Sequence, residues 1–133
     1  MIPIIFINCR KEPFVDDIMC HLKQYETRNR NTLGRFIGQH VLIAETGHGR
    51  PLVRCSAVID EIIEVFTREA WEKYLEWTWV PVGSSYDWQP DTKKKVLYHL
   101  SDVHALTPFH PVEGRRHGRV WMEYKGSGYE KEV

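Results

Sequence analysis

LKQYETRNR, residues Leu22 to Arg30, sets Lys23, Glu26, Arg28 and Arg30 within eight positions, with Tyr25 and Thr27 between them. The stretch follows an apolar helical pattern and has few neighbours able to form a core. It reads either as a solvated edge strand or as one wall of a site. In an extended chain, residues two apart project from one face, so Glu26 and Arg28 point into the same space. Lys23, at the bend before the strand, reaches that point from above. Lysine supplies a compact cation, glutamate a carboxylate, and arginine a planar fork suited to phosphate or carboxylate. Such a triad holds a phosphorylated or polar ligand. If burial and neighbouring charge lower the lysine pKa, Lys23 also becomes a candidate base, with Glu26 as its partner. The competing reading is an ion pair that satisfies itself on a rim.

Working outward, the segments on either side read as a mainly β chain. Ile2 to Ile7 is an apolar run of strand length, with Pro3 near its start, where a missing donor is tolerated. Pro13 stands at a plausible first helical position, with Asp16 and Asp17 in the early turns, where the helix dipole favours negative charge. Val15, Ile18, Met19 and Leu22 recur at helical spacing, which predicts a short helix over 13–22. Strands are expected at 24–29, 40–46, 52–65, 95–103 and 118–124. Thr46-Gly-His-Gly-Arg50 reads as a hairpin turn. Within 52–65, Val53, Cys55, Ala57 and Ile59 alternate onto one face. Thr67 is a credible N-cap for a second helix over 68–76, with Trp71, Tyr74 and Leu75 as its apolar stripe. Six short strands with two short helices predict an α+β, mainly β domain: a small barrel over residues 1–125, followed by a polar tail at 126–133.

Composition narrows the function classes. The chain has 133 residues, enough for one core, and 18 basic residues balance 18 acidic ones. A neutral total argues against bulk nucleic-acid binding, although it can hide a basic face. The opening apolar run lacks a basic lead-in and ends at Asn8, too short for a signal sequence or membrane span. Cys9, Cys20 and Cys55 are an odd set without paired spacing, read as reduced thiols of a cytoplasmic protein.

Lys23-Gln-Tyr-Glu26-Thr-Arg28 resembles the K-x-x-E-x-R core of the ASCH domain, a member of the PUA-like superfamily. In that family the motif follows the first helix and opens the next strand. The segment from Tyr98 to Pro108, then Gly114 and Val120-Trp121, is similar to the family's closing strands, so the resemblance spans roughly Ile2 to Tyr124. One departure is the usual glycine before the lysine, replaced here by His21-Leu22. The resemblance implies a PUA-like barrel that binds RNA or a nucleotide-like small molecule, with no cofactor. Its implied ligand-binding residues are Lys23, Glu26, Arg28, Arg30, Tyr98 and Arg115, with Lys23 and Glu26 as candidate catalytic groups. Some ASCH proteins hydrolyse the amide of acylated cytidine and others are reported as ribonucleases, so a small hydrolase is the alternative. In the amidohydrolase pattern a threonine stands three residues after the lysine; Glu26 holds that place here, and no nucleophile is carried over. A protein-interaction module using an exposed acidic helix is a third reading.

Other candidates carry less. His99, His104, His110 and His117 lack zinc-pair spacing and no cysteine pair joins them, so no metal is expected. Trp77, Trp79, Tyr86 and Trp88 fill a core or stack a nucleobase. Lys93 to Lys95 with Arg115, Arg116 and Arg119 offer a phosphate-tracking face, set against the acidic run from Asp60 to Glu76.

Overall fold

The computed structural model describes residues 2–112, 115–117 and 121–124, with side chains described for 2–106 and 112. Its strands are β1 (Ile2–Asn8), β2 (Tyr25–Arg28), β3 (His40–Thr46), β4 (Leu52–Val65), β5 (Lys95–Pro111), β6 (Arg115–His117) and β7 (Trp121–Tyr124). Three short helices join them: α1 (Phe14–Met19), α2 (Arg68–Glu72) and α3 (Leu75–Thr78). The strands form one sheet in the order β2-β5-β4-β3-β1-β7-β6. Five of them, from β2 to β1, curl into a half-barrel. Among the described residues only β1 and β3 pair in parallel, the other neighbours being antiparallel. Among the described residues no helix is long and apolar enough to cross a membrane.

Bulges produce the curl. β4 slips register against β5 at three places, between Val53 and Cys55, Ser56 and Val58, and Ile59 and Glu61. The extra residues lie in β5 at the first two places and in β4 at the third, and each bends its strand and increases the twist. One of these breaks the expected alternation: Ala44 pairs with Val53 and Ile43 with Cys55, leaving Arg54 unmatched. Cys55, Ala57 and Ile59 therefore enter the main core with Ile5, Ile7, Val15 and Ile18, whereas Val53 joins Ile4, Phe6, Leu42 and Ala44 on the other face. Arg54, displaced by the bulge, binds Asp16 at 2.7 Å and Glu45, tying α1 to the sheet.

Several boundaries differ from the sequence expectation. Pro13 sits at the N-cap and α1 starts at Phe14, because Pro13 (ψ 56°) is not helical. Expected as one helix, 68–76 divides in two at Lys73–Tyr74, so the described residues hold three helices rather than two; Thr67 caps the first as expected, accepting the Ala70 N–H at 3.1 Å. β5 runs on to Pro111, as its second half finds a partner in the start of β4. The expected closing strand is represented by β7 at Trp121–Tyr124, paired with β1 and β6; residues 118–120 and the tail lie outside the described residues. The turn after β3 is tight at Gly47 (φ +103°), where a Cβ would lie 2.7 Å from the Arg10 backbone nitrogen. Its bareness lets the chain leaving β1 pass close beside the hairpin.

Candidate functional site

β2 is both things its sequence offered: the edge strand of the sheet and the wall of a cleft. The curl carries this edge round to β1, and there the gap is bridged by a side chain, since Arg28 Nη2 donates to Phe6 O at 3.0 Å. A cleft of about 360 Å³ opens at this seam. Its walls are Asn8 from β1, Phe14 from α1, Lys23, Glu26, Thr27 and Arg28, with Thr46 and Tyr86.

Lys23, Glu26 and Arg28 converge there. Glu26 Oε2 accepts from Arg28 Nε at 3.1 Å and lies 2.9 Å from Nη2, while Oε1 accepts the Thr27 N–H at 3.1 Å. Lys23 Nζ stands 4.0 Å from Glu26 Oε1, donates to Thr78 O at 2.7 Å and lies 4.6 Å from the centre of the Phe14 ring. Lys23 is not the exposed cation that its surroundings in sequence imply: it is 2% exposed, and Glu26 6%. Burial pulls the Lys23 pKa down to about 8, against the opposing pull of Glu26 and Asp17. Arg28 is the more open member, and its Nη1 has no partner among the described residues.

The approach to Lys23 replaces the missing glycine with strain. After α1, His21 takes a left-handed conformation (φ 62°), and Asp17 O accepts both the Leu22 and Lys23 N–H groups at 2.9 and 3.0 Å. Histidine tolerates this region better than most residues but less well than glycine. The helix exit is therefore kept by backbone hydrogen bonds.

Tyr86 reaches the cleft through a loop built around a carboxylate. Asp87 is buried, and its Oδ1 accepts from Trp71 Nε1 and the Trp88 N–H, both at 2.7 Å, while Oδ2 accepts the Gly83 N–H at 2.8 Å. These donors hold its pKa below the usual value against the pull of burial. The Tyr86 ring then meets Phe14 edge to face, at 5.1 Å and 84°. Asp87, Phe14, Asn8 and Thr46 escaped sequence reasoning. Only the aromatic-rich loop carried a signal, and its residues divide: Trp88 is in the core, Tyr86 in the cleft, and Trp77 and Trp79 are exposed at 41% and 44%.

The other expected site residues fall elsewhere. Tyr98 pairs directly with Glu26 across β2 and β5, yet its side chain is buried. Its hydroxyl accepts the Leu33 N–H at 3.2 Å and stands 2.9 Å from Asn31 Oδ1, fixing the loop after β2 instead of lining the cleft. Arg30 is exposed and belongs to a neighbouring cavity. Arg115 is in β6, and its side chain is outside those described, as are those of His110 and His117. The lysine run is not one solvated face: Lys93 is exposed, Lys94 bonds Glu64 at 3.2 Å, and Lys95 is buried with Nζ donating to Tyr86 O at 2.9 Å. Two of the candidate histidines are engaged by carboxylates, His99 with Asp60 and His104 with Asp102, each at 2.7 Å. Among the described residues no three His, Cys, Asp or Glu side chains cluster so as to hold a metal ion.

This arrangement has an ASCH-type fold. It is similar to the crystal structure of an ASCH protein from Zymomonas mobilis, with TM-score 0.65 and 19% identity over 77% of this chain and 68% of that one. A serine-to-alanine variant of that protein aligns at 0.73, with 16% identity over 98% of this chain and 92% of that one. A tyrosine-to-phenylalanine variant aligns at 0.66, with 19% identity over 83% and 73%. Neither a family model nor a curated protein matches the sequence. Likeness at these identities establishes the fold; chemistry must be argued from the site.

Proposed function

We propose that the seam cleft binds a nucleotide-like ligand, either a free nucleotide or a residue of an RNA. The observation that carries this reading is the convergence of Lys23, Glu26 and Arg28 beside the Phe14 and Tyr86 rings on one open cavity. Its volume of about 360 Å³ is in the range of small-ligand sites. With Lys23 protonated, two cations face one carboxylate, a surplus of one positive charge that suits an anionic group. Arg28 Nη1 supplies spare donors for phosphate, and Glu26 retains acceptor capacity for an amine or hydroxyl. A cytoplasmic setting fits this reading, since all three cysteines are free and burial pushes the Cys9 and Cys55 thiols up to about 11 and 12, which keeps them inert.

The test is equilibrium binding of ribonucleotides and short RNAs to wild type and Arg28→Ala. Loss of a charge-assisted contact should weaken binding by about 1–3 kcal/mol. Equal affinity of the two proteins for every ligand would remove the reading.

One observation favours a second reading, a hydrolase. A buried amine with a pKa near 8, beside a carboxylate, is suited to accept a proton near neutral pH. Under this reading Glu26→Gln lowers turnover of an acylated cytidine or an RNA by about two to four orders of magnitude, with substrate still bound. A pure binder shows no turnover to lose, and tolerates the change.

A further inference from the structure

A second cavity, of about 530 Å³, is lined by residues that follow or precede those of the cleft along two stretches of the chain. Where Thr27 and Arg28 line the cleft, Asn29 and Arg30 line this cavity; where Tyr86 lines the cleft, Ser85 lines the cavity. At most about 7 Å of chain separates the Cα atoms of Arg28 and Arg30, on the scale of one nucleotide. The lining is strongly basic. Arg30, Lys93, Lys94 and Lys95 contribute four cations against one carboxylate, Asp91, and among the described residues only Lys94 has a salt bridge, to the exposed Glu64. Lys95 is unusual among them, being 5% exposed with no carboxylate within ion-pair distance among the described residues. Its ammonium rests on Tyr86 O, 2.9 Å away, and over the Trp71 ring at 5.3 Å. Its nearest carboxylate, Asp87, acts from beyond ion-pair distance; a buried cation so weakly countered is costly, and an anion nearby reduces that cost.

We propose that this basic cavity is the track for the phosphodiester backbone of a single-stranded RNA, one nucleotide of which occupies the seam cleft. The proposal rests on the reading of the cleft as a nucleotide site and deepens it, selecting a polymer over a free nucleoside. Because Lys95 is anchored to the carbonyl of Tyr86, which itself lines the cleft, the two cavities share one wall, and an occupant of one lies against the support of the other.

The experiment measures binding of the four ribonucleoside 5′-monophosphates, a mixed-sequence five-nucleotide RNA and a five-residue oligoglutamate. The proteins are the full chain, Arg28→Ala and the double variant Arg30→Ala/Lys93→Ala, which changes exposed side chains only. The RNA should bind wild type about tenfold or more tighter than any monophosphate, and the double variant should lose most of that gain. Two lost phosphate contacts should also reduce the slope of log affinity against log salt by about 1.4. Monophosphate affinity should stay within about twofold, because these side chains lie outside the cleft. Unchanged RNA affinity and salt slope in the double variant would overturn the track. So would oligoglutamate binding as tightly as RNA, which would point to an acidic protein partner instead. If Arg28→Ala weakens nothing while the double variant still weakens RNA, the cleft reading fails and the basic track stands.

Discussion

Lys23 at the seam cleft and Lys95 beneath the loop after α3 are both buried lysines, each resting on an aromatic ring and each donating to a backbone carbonyl. Burial lowers the pKa of both. They differ in what faces the charge. Lys23 has Glu26 at 4.0 Å, and Glu26 is itself shared with Arg28, so charge is arranged on charge at the mouth of a cavity. Lys95 has only the more distant Asp87, whose oxygens are taken by Trp71, Trp88 and Gly83. In sequence, both are lysines in polar stretches. The comparison teaches that a lysine becomes part of a site through where the fold buries it and which carboxylates it meets there, not through the charge density of its segment.

The strongest way to break this contrast is to remove the carboxylate from the first region. Glu26→Ala leaves Lys23 buried without its ion-pair partner and Arg28 held, among the described residues, by Phe6 O alone. Loss of one partner of a buried pair should lower unfolding stability by about 3–5 kcal/mol, read from urea midpoints. A loss under about 1 kcal/mol would mean that Thr78 O and the Phe14 ring suffice, and that the two lysines are alike.

Next in size is a linkage effect. The folded-state pKa of Lys23, about 8, is below the unfolded value of 10.5, so between these pH values the unfolded chain binds more protons and wild-type stability rises with pH. Lys23→Met removes this term. Relative to that variant, wild type should gain about 3 kcal/mol from pH 8 to pH 10.5, at 1.36 kcal/mol per unit. The difference between the two curves isolates Lys23 from the buried thiols, which titrate in the same range. A flat difference would show that Lys23 keeps an ordinary pKa.

The second region responds to its tether. Trp71→Phe deletes the bond to Asp87 while keeping a ring beneath Lys95, and should cost about 1.5–3 kcal/mol, as for a hydrogen bond to a charged group. Amide exchange of Gly83 and Trp88, whose N–H groups share Asp87, should quicken. The smallest effect belongs to the exposed neighbour. Lys94→Ala breaks a solvated pair with Glu64, and stability should change by less than about 0.5 kcal/mol. A larger loss would make the lysine run a structural unit.

Much of the fold was legible because it depends on local chemistry. The apolar run of β1, the glycine-marked turn after β3, the Thr67 cap and the extended stretch at Tyr25–Arg28 follow from propensity and period. So does the pairing of Glu26 with Arg28, since residues two apart on a strand share a face whatever surrounds them. The motif in its element order pointed to the ASCH-type fold, which the structural likeness then established. Long-range geometry decided the rest. Bulges in β4 moved Val53 to the opposite face from Cys55, and register slips of this kind leave no reliable mark in composition. Burial of Lys23 needed Thr78 and Phe14, far apart in sequence, to close round its ammonium. Tyr98 was expected in the site from the family resemblance, and packing turned its hydroxyl to the 31–33 loop. The sequence by itself determined which charges share a strand and that the chain folds as a curled β domain. Only the tertiary structure decided which of them lie out of water, because desolvation depends on every element packed around a group and not on its neighbours along the chain.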